Sequence, residues 1–331
     1  MKVVIFGAGL IGKKRGLQLA PHELVGIFDP DQARAKALAA ELKTKAFDNE
    51  AAALGAPSDV AIVAVTNNAL TPVSVKALEA GRHVLVEKPA ALSLAELSLL
   101  EAASRRTGRA VKVGFNHRFH PSLLKARELV DSGRMGPLMF LRARYGHGGR
   151  LGMEKEWRFD PKLGGGGELI DQGVHLLDLI HWFFGPLPLQ SSLVRTNFWP
   201  AEVDDNAVLT CAAEEGEQWA TFHVSCSEWK NTFSLELYGR TGKILVTGLG
   251  GSYGKETLTY YQMQPEMGPP PFETFEFEGA DRSWELDLKN LVDHVEKKTP
   301  LLGDLASARY CLEQVTAAYR ANGYLNLPCN A

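Results

Sequence analysis

A glycine-rich turn near the amino end constrains the fold of this 331-residue chain more than any other feature. The stretch "VVIFGAGLIGKK" places Gly7, Gly9 and Gly12 directly after an apolar run and at the start of a helical pattern. Such a turn lets the backbone approach a pyrophosphate, which then lies on the N–H groups and the positive dipole end of the helix. The motif predicts a bound dinucleotide. A glycine turn in an α/β domain without a dinucleotide is the alternative.

The first third of the chain alternates short apolar runs with helical patterns. Strands are predicted at residues 2–6, 23–28, 59–65, 83–87 and 110–115. These runs lack polar alternation, which is typical of parallel strands covered by helices on both faces. We expect one helix to start at Thr71-Pro72, with Thr71 as N-cap, and another at the capping box from Ser93 to Glu96.

The pattern changes after about residue 120. A helix and a long strand candidate lead into several β-like runs between about residues 188 and 277, and two helical patterns close the chain. Strands that follow one another between helices predict an α+β domain with a largely antiparallel sheet. We therefore expect a first domain over 1–118 and a second over 119–331, and we allow for the C-terminal helices packing back on the first domain.

Composition excludes several classes of protein. The formal net charge is -3, without the basic excess that a nucleic-acid phosphate backbone requires. The longest apolar runs are shorter than a membrane span of about 20 residues, and the first residues lack the pattern of a secretory leader. We expect a cytoplasmic protein without nucleic-acid or membrane partners. The cysteines are too widely spaced for a disulfide framework and are expected to be reduced and buried: Cys211, Cys226, Cys311 and Cys329.

An acidic residue closes the second strand candidate. Asp29 stands where a carboxylate accepts hydrogen bonds from the adenosine ribose hydroxyls. The same carboxylate would repel a 2′-phosphate, and the residues that follow, Pro30 and Asp31, supply no cation. The sequence therefore predicts NAD in preference to NADP.

Two further segments carry candidate chemistry. Glu87-Lys88-Pro89 follows a strand at the carboxyl edge of the sheet, where ligands of open α/β folds bind. A surface lysine paired with Glu87 is the alternative. In "GGGGELIDQGVHLLDLIHWFFG", Asp171 and His175 lie one helical turn apart on the same face of an apolar helix.

That acid and imidazole have two other interpretations, an ordinary core pair or part of a metal site. No third ligand stands at a suitable spacing for a metal. Asp178 and His181 on the same helix are expected to be structural. The glycines before the helix predict sharp turns and close backbone approach, with a second phosphate cradle as the alternative.

The order of these motifs resembles the Gfo/Idh/MocA oxidoreductases, the glucose-fructose oxidoreductase and inositol dehydrogenase family. The segments that carry the resemblance are the glycine turn, the acidic strand end, "AGRHVLVEKP", "GFNHRFHP", "GGGGELIDQGVHLLDLIHWFFG" and "SWELDLKNLVDHV". The resemblance implies a doubly wound, parallel α/β Rossmann domain. It also implies a second α+β domain with a large, mostly antiparallel, open-faced sheet that often forms an oligomer interface. A homodimer or homotetramer is expected.

The resemblance also implies site residues. The catalytic set is expected at Lys88, Asp171 and His175. The cofactor residues are expected at Gly7, Gly9, Leu10, Ile11, Gly12, Asp29, Thr66, Asn67, Glu87 and Lys88, and the substrate residues at Lys88, Asn116, Arg158, Asp171 and His175. For Arg158, an ion pair with Glu154 is the alternative. The chain departs from many members at Leu70, where they carry a histidine.

Alcohol oxidation assigns these residues their roles. A secondary hydroxyl loses its proton as a hydride leaves the same carbon for the nicotinamide. His175, with an ordinary pKa near ~6.5, is suited to accept that proton, and Lys88 is suited to stabilise developing negative charge on the oxygen. Asp171 would orient the imidazole or bind a neighbouring hydroxyl. The expected activity is NAD-dependent hydride transfer to or from a sugar, polyol or sugar derivative.

Two other functions remain open at this point. Transient oxidation of a sugar carbon acidifies the neighbouring C–H, so that a glycosidic bond can be cleaved by elimination and water addition while NAD is regenerated. Members that resemble this family carry out such redox-neutral hydrolysis. A dinucleotide-binding regulator without catalysis is the third reading, and it predicts the loss of part of the catalytic set, which this chain retains.

Overall fold

The computed structural model of the protein describes residues 1–330, which form two compact units. The first unit combines residues 1–116 with 284–309, and the second combines residues 117–283 with 310–330. The chain therefore leaves the first unit after its amino-terminal part and returns to it with a later helix.

The first unit is built on a parallel five-stranded sheet. Its strands are β1 (Lys2–Phe6), β2 (Glu23–Phe28), β3 (Val60–Val63), β4 (His83–Val86) and β5 (Val111–Val113), and its helices in this part are α1 (Leu10–Leu17), α2 (Gln32–Glu41), α3 (Glu50–Gly55), α4 (Asn67–Glu79) and α5 (Leu94–Thr107). The strand order is β2-β1-β3-β4-β5, and every neighbouring pair is parallel. The strand order reverses beside β1, which is the position where doubly wound folds bind ligands. The predicted parallel sheet is confirmed.

Of the two predicted helix starts, one is confirmed and one is wrong. The Ser93 hydroxyl accepts a hydrogen bond from the Glu96 N–H, so the predicted cap of α5 is confirmed. The predicted start at Thr71 is wrong, because α4 already begins at Asn67 and contains Pro72. Pro72 is the sixth residue of α4, where its missing N–H removes one intrahelical hydrogen bond, so the proline lies past the first turn and did not mark the start of the helix.

The second unit holds an eight-stranded sheet and the remaining central helices. Its strands are β6 (Leu138–Gly146), β7 (Leu189–Arg195), β8 (Asn206–Ala212), β9 (Trp219–Ser225), β10 (Thr232–Gly239), β11 (Gly242–Thr247), β12 (Glu256–Gln262) and β13 (Phe272–Phe277), and its helices are α6 (Pro121–Asp131), α7 (Pro161–Gly164) and α8 (Val174–Phe184). The order is β13-β12-β11-β10-β6-β9-β8-β7, and only the β6–β9 pair among these described strands is parallel. The predicted, mostly antiparallel sheet is confirmed.

The two edge strands had no strand candidate of their own in the sequence. β7 and β13 lie at the two ends of the sheet, and most of their residues are exposed or half-buried. An edge strand packs on few neighbours, so its sequence carries little of the apolar alternation that marks a buried strand.

Two helices close the described chain, α9 (Ser283–Lys297) and α10 (Leu305–Ala321). Leu288, Leu291 and Val292 of α9 are buried in the same apolar cluster as Val3 and Ile5 of β1. The first unit therefore completes its core with a helix that lies far along the sequence.

Candidate active site

Glycines let the loop after β1 pack closely. Gly7 has a φ of +103°, and a Cβ there would lie 2.2 Å from the Ala64 carbonyl oxygen. A Cβ on Gly12 would lie 1.9 Å from the Gly7 carbonyl oxygen, whereas the corresponding position at Gly9 is open space. The protein's own backbone thus excludes side chains at Gly7 and Gly12, and Gly9 leaves the loop open to a ligand.

The amino end of α1 suits a phosphate. The N-cap residue is Gly9, so no side chain caps the N–H groups at the start of α1, and the first turn carries no acidic residue. Asp29 is held beside this loop because its carboxylate accepts hydrogen bonds from the N–H groups of Ala8, at 2.7 Å, and Asp31, at 2.8 Å. Its remaining lone pairs suit ribose hydroxyls. These residues fit a dinucleotide with its phosphates on α1 and its ribose at Asp29.

The other predicted cofactor residues of the first unit lie at the starts of two helices. Leu10 is 66% exposed and Ile11 is half-buried at the start of α1. Thr66 is the N-cap of α4, and Asn67, the first residue of that helix, is buried. Leu70 is fully buried in α4, so this position, a histidine in many relatives by the resemblance, belongs to the core here.

The two residues that follow β4, Glu87 and Lys88, differ in burial. Lys88 is half-buried, and Glu87 is buried with its carboxylate on Arg15 at 2.8 Å. Burial raises the pKa of Glu87, and the Arg15 guanidinium opposes that shift. The carboxylate of Glu87 thus has a buried arginine as its partner.

Four glycines precede the turn that carries the predicted acid and imidazole. A Cβ on Gly167 would lie 1.8 Å from the Asp204 carbonyl oxygen, and one on Gly166 would lie 2.4 Å from the Tyr319 hydroxyl. Asp204 accepts hydrogen bonds from the N–H groups of Gly167 and Leu169 and from the Tyr319 hydroxyl. The close backbone approach is therefore to the protein's own Asp204 and Tyr319.

The turn itself differs from the regular helix expected from the sequence. Residues Leu169–Gly173 form a π-helical turn, and α8 begins only at Val174. Asp171 lies inside the wide turn, and His175 lies in the first turn of α8. The prediction that Asp171 and His175 lie one turn apart on the same regular α-helix was therefore wrong. Wide turns of this kind occur often at functional sites because they change the direction of the side chains around them.

One pair of the predicted substrate residues of the second unit, Arg158 and Asp171, is in contact. Arg158 Nε lies 3.3 Å from Asp171 Oδ2, and the Arg158 guanidinium lies 4.6 Å from the centre of the Trp157 ring. The alternative ion pair with Glu154 is not the arrangement found, because Asp171 is the acid that Arg158 contacts. Asp171 and Arg158 together offer an acceptor and a donor to hydroxyl groups.

His175 is buried among rings that the sequence did not single out. The His117 ring centre lies 3.8 Å from that of His175, and Tyr145 lies 6.3 Å from it in an edge-on arrangement. His117 belongs to a short 3₁₀ helix that starts at Asn116, which is also buried. The segment "NHRF" was the available signal, since polar residues directly after an apolar strand often serve a site.

Glu168 is a second residue that sequence analysis missed. It is 2% exposed, and its Oε2 lies 3.5 Å from Nε2 of His147, while Nδ1 of His147 accepts a hydrogen bond from the Gly149 N–H. Burial raises the pKa of Glu168 to about 7. Burial alone would lower the pKa of His147, but the hydrogen bond to Glu168 raises it. Glu168 therefore changes its protonation near neutral pH.

The polar residues farther along α8 have structural partners, as expected. Arg118 donates to both carboxylate oxygens of Asp178 at 2.7 and 2.6 Å, and the His181 ring stacks on Tyr310. All four cysteines are free and buried. Residues 1–330 contain no group of three His, Cys, Asp or Glu side chains arranged for a metal. None of their helices combines the length and apolarity needed to cross a bilayer.

Two family models match the chain. Residues 1–115 match the model described as oxidoreductase family, NAD-binding Rossmann fold. Residues 123–245 match the model of the GFO/IDH/MocA C-terminal domain. The two matches follow one another along the chain and include the glycine loop and the turn around Asp171.

Three proteins that resemble this chain in sequence or in fold are named as dehydrogenases of sugars. Glucose-6-phosphate 3-dehydrogenase of Bacillus subtilis is 30% identical over 55% of this chain, but the match spans only about half of that enzyme, 53%. D-glucoside 3-dehydrogenase of Escherichia coli is 27% identical over 96% of this chain and 94% of its own length. The structure of levoglucosan dehydrogenase in complex with NADH covers 97% of this chain and 98% of its own, with 17% identity and a TM-score of 0.85.

Proposed function

Because the chain belongs to the Gfo/Idh/MocA oxidoreductase family, we propose that it is an NAD-dependent dehydrogenase acting on a secondary hydroxyl of a sugar, polyol or sugar derivative. The observation that carries the proposal is the loop after β1. Gly9 opens this loop to a ligand, and the Ala8 N–H holds the Asp29 carboxylate beside it. The names of relatives that act on glucosides and glucose 6-phosphate support a carbohydrate substrate.

Lys88, Asp171 and His175 are the proposed catalytic residues. Bound NAD supplies the acceptor for the hydride that leaves the hydroxyl-bearing carbon. His175 takes the hydroxyl proton on a ring nitrogen, and Lys88 donates a hydrogen bond to the oxygen as negative charge develops on it. Asp171, paired with Arg158, orients a neighbouring hydroxyl. The remaining proposed contacts are Asn116 and Arg158 to substrate and Leu10, Ile11, Thr66, Asn67 and Glu87 around the cofactor.

Turnover with a carbohydrate panel tests the activity. The purified protein is incubated with NAD and with aldoses, glycosides, inositols and sugar acids, and NADH is followed by absorbance. We expect NADH from at least one compound, and a loss of about 10²–10³-fold in kcat for Lys88→Met. Lys76→Met is the matched control, because Lys76 is a surface lysine of the same unit paired with Glu50. No NADH from any compound, or full activity of Lys88→Met, would contradict the proposal.

The same assay separates net oxidation from redox-neutral hydrolysis. An oxidoreductase releases one NADH for each sugar oxidised, whereas the hydrolytic route releases the aglycone of a glycoside with only catalytic NAD and no accumulated NADH. Measuring both products from one glycoside decides between these stoichiometries.

We propose that the protein is cytoplasmic and forms a homodimer or homotetramer, with domains divided at residues 118 and 119. Free cysteines are typical of a reducing compartment.

The proposed assembly is supported by aromatic residues on the less buried face of the large sheet. There Phe140 stacks on Trp219 and Tyr238 with ring centres 4.6 and 4.2 Å apart. Light scattering coupled to gel filtration measures the oligomeric state, and a monomer would contradict the proposed assembly.

A further inference from the structure

A cluster of buried charges lies next to the proposed catalytic lysine in the first unit. Arg15 of α1 lies 2.8 Å from Glu87 and 2.7 Å from Asp287 of α9, measured between nitrogen and oxygen. Lys112 of β5 lies 3.0 Å from the other oxygen of Asp287. The cluster matches the cations Arg15 and Lys112 with the anions Glu87 and Asp287.

The arginine at the centre of this cluster is held on several sides. Its side chain is 1% exposed, and the Trp284 ring centre lies 4.6 Å from the guanidinium. Burial lowers the pKa of Arg15, but Glu87 and Asp287 together raise it above the ordinary value. The guanidinium is therefore a fixed cation with a defined position for each carboxylate.

The backbone around Glu87 is also fixed. The Glu87 N–H donates to the Val63 carbonyl, and the Glu87 carbonyl accepts from the Ala90 N–H. A Cβ on Gly114 would lie 2.8 Å from both Arg15 and Glu87, so the ion pair requires a glycine directly after β5. Backbone and side chain together anchor the residue that immediately precedes Lys88.

We propose that Glu87 is a positioning residue for Lys88, held by Arg15, so that the lysine is placed for catalysis before the substrate binds. The inference rests on the proposed catalytic role of Lys88. Buried ion pairs contribute little net stability compared with apolar residues of the same volume, so a purely structural need would be met without charges. Their geometric precision suits a site in which a displacement of about 1 Å costs about 10²-fold in rate.

Two matched substitutions test the proposal. Glu87→Gln and Asp287→Asn each remove one negative charge from the partners of Arg15, but only Glu87 is bonded along the chain to Lys88. We expect Glu87→Gln to lower kcat by about 10–100-fold, with the substrate KM within about 3-fold of wild type. Asp287→Asn should lose similar thermal stability and keep kcat within about 3-fold. Equal losses of kcat in both variants, or no loss in Glu87→Gln, would overturn the proposal.

A double variant covers the case in which Glu87→Gln does not fold. Arg15→Met with Glu87→Met removes one cation and one anion, and leaves Lys112 paired with Asp287. Because apolar residues of similar volume replace a buried pair at little cost in stability, we expect a folded protein with the same 10–100-fold loss in kcat. A folded double variant with wild-type kcat would overturn the positioning role.

A labelling experiment separates this inference from the proposed function. The acetylation rate of Lys88 by acetic anhydride is compared with that of Lys76 by peptide mass spectrometry, which needs no turnover. We expect Glu87→Gln to raise the relative rate at Lys88 by about 3-fold or more and Asp287→Asn to leave it unchanged. An unchanged rate in both variants refutes positioning even if Lys88 proves catalytic. A raised rate in an enzyme whose Lys88→Met variant stays fully active refutes the catalytic role alone.

Discussion

Each of the two units buries ionisable side chains next to proposed site residues, but the two groups differ in how their charges are matched. In the first unit, Arg15 supplies a permanent cation to Glu87 and Asp287. In the second unit, Glu168 contacts the imidazole of His147, and Asp204 accepts hydrogen bonds from backbone N–H groups and a tyrosine.

The difference appears in the protonation of the acids of the second unit. Burial raises the pKa of Glu168 to about 7 and that of Asp204 to about 6. Hydrogen bonds and an imidazole offset burial less than a guanidinium does, because they bring no permanent charge into the low-dielectric interior. Burial also raises the pKa of Glu87, but there the permanent charge of the Arg15 guanidinium opposes the shift. The surroundings of Asp171 should change with pH near neutrality.

The largest expected effect is on kcat and comes from a residue of the second unit. His175→Gln removes the proposed proton acceptor and should lower kcat by about 10³-fold, within the range for general base catalysis. The NADH Kd, measured by fluorescence, should stay within about 2-fold because the cofactor loop is in the first unit. His181→Gln is the control, since that ring stacks on Tyr310. Near wild-type kcat in His175→Gln would remove His175 from the mechanism.

The second prediction concerns the raised pKa of Glu168 and its effect on stability. The pKa of Glu168 is about 7 in the folded protein and near its ordinary value of 4.5 when unfolded. Its contribution to stability is therefore fully present below pH about 4.5 and is lost as the pH rises through about 7. The free energy of unfolding of wild type should fall by on the order of 3 kcal/mol relative to Glu168→Gln over this range.

Urea unfolding at a series of pH values measures that difference. Glu215→Gln, a substitution of an exposed acid in the same unit, should track wild type at every pH. Parallel curves for wild type and Glu168→Gln would show that Glu168 is ionised in the folded protein, and the contrast between the units would be lost.

The third prediction concerns NADH binding rather than the chemical step. Gly12→Ala places a Cβ 1.9 Å from the Gly7 carbonyl oxygen, so the loop must shift. Overpacking of this kind costs about 1–3 kcal/mol of stability. We also expect the shifted loop to bind NADH about 10–100-fold more weakly, a loss of about 1.4–2.8 kcal/mol in binding free energy. Gly55→Ala, at a glycine whose Cβ would meet open space, is the control. Unchanged NADH binding by Gly12→Ala would mean that the loop is not the cofactor site.

The smallest expected effect concerns cofactor choice. Asp29→Ala removes the carboxylate that would repel a 2′-phosphate, and should shift the ratio of kcat/KM for NAD and NADP by about tenfold towards NADP, or about 1.4 kcal/mol. Asp31→Ala, which removes the side-chain cap of α2, should cost stability without changing the preference. A preference for NADP in the wild-type enzyme would contradict the proposed use of NAD.

Elements that depend on contiguous residues were predictable. β1 and β2 have the predicted bounds, and the cap of α5 forms at Ser93. The start of α4 was not predictable from Thr71-Pro72, because α4 begins one turn earlier and holds this proline in its interior. The edge strands β7 and β13 were not predictable because they bury little.

The candidate site divides in the same way. The glycine pattern and the residue types at Asp29, Lys88 and His175 are visible in the sequence. The partner of Glu87 is not, since Arg15 comes from a different element and no spacing connects the two. The ring of His117 against His175 is equally hidden, because the two lie on separate segments of the chain.

The sequence by itself determined the parallel sheet and the glycine loop, because these follow from local sterics and from burial patterns along the chain. It also holds the residue types proposed for alcohol oxidation. Tertiary structure alone decided the wide turn at Asp171, the pairing of Arg15 with Glu87 and the raised pKa of Glu168. A side chain's partner and dielectric surroundings are set by whatever packs against it. In this fold those neighbours come from distant segments, including helix α9, which returns to the first unit near the end of the chain.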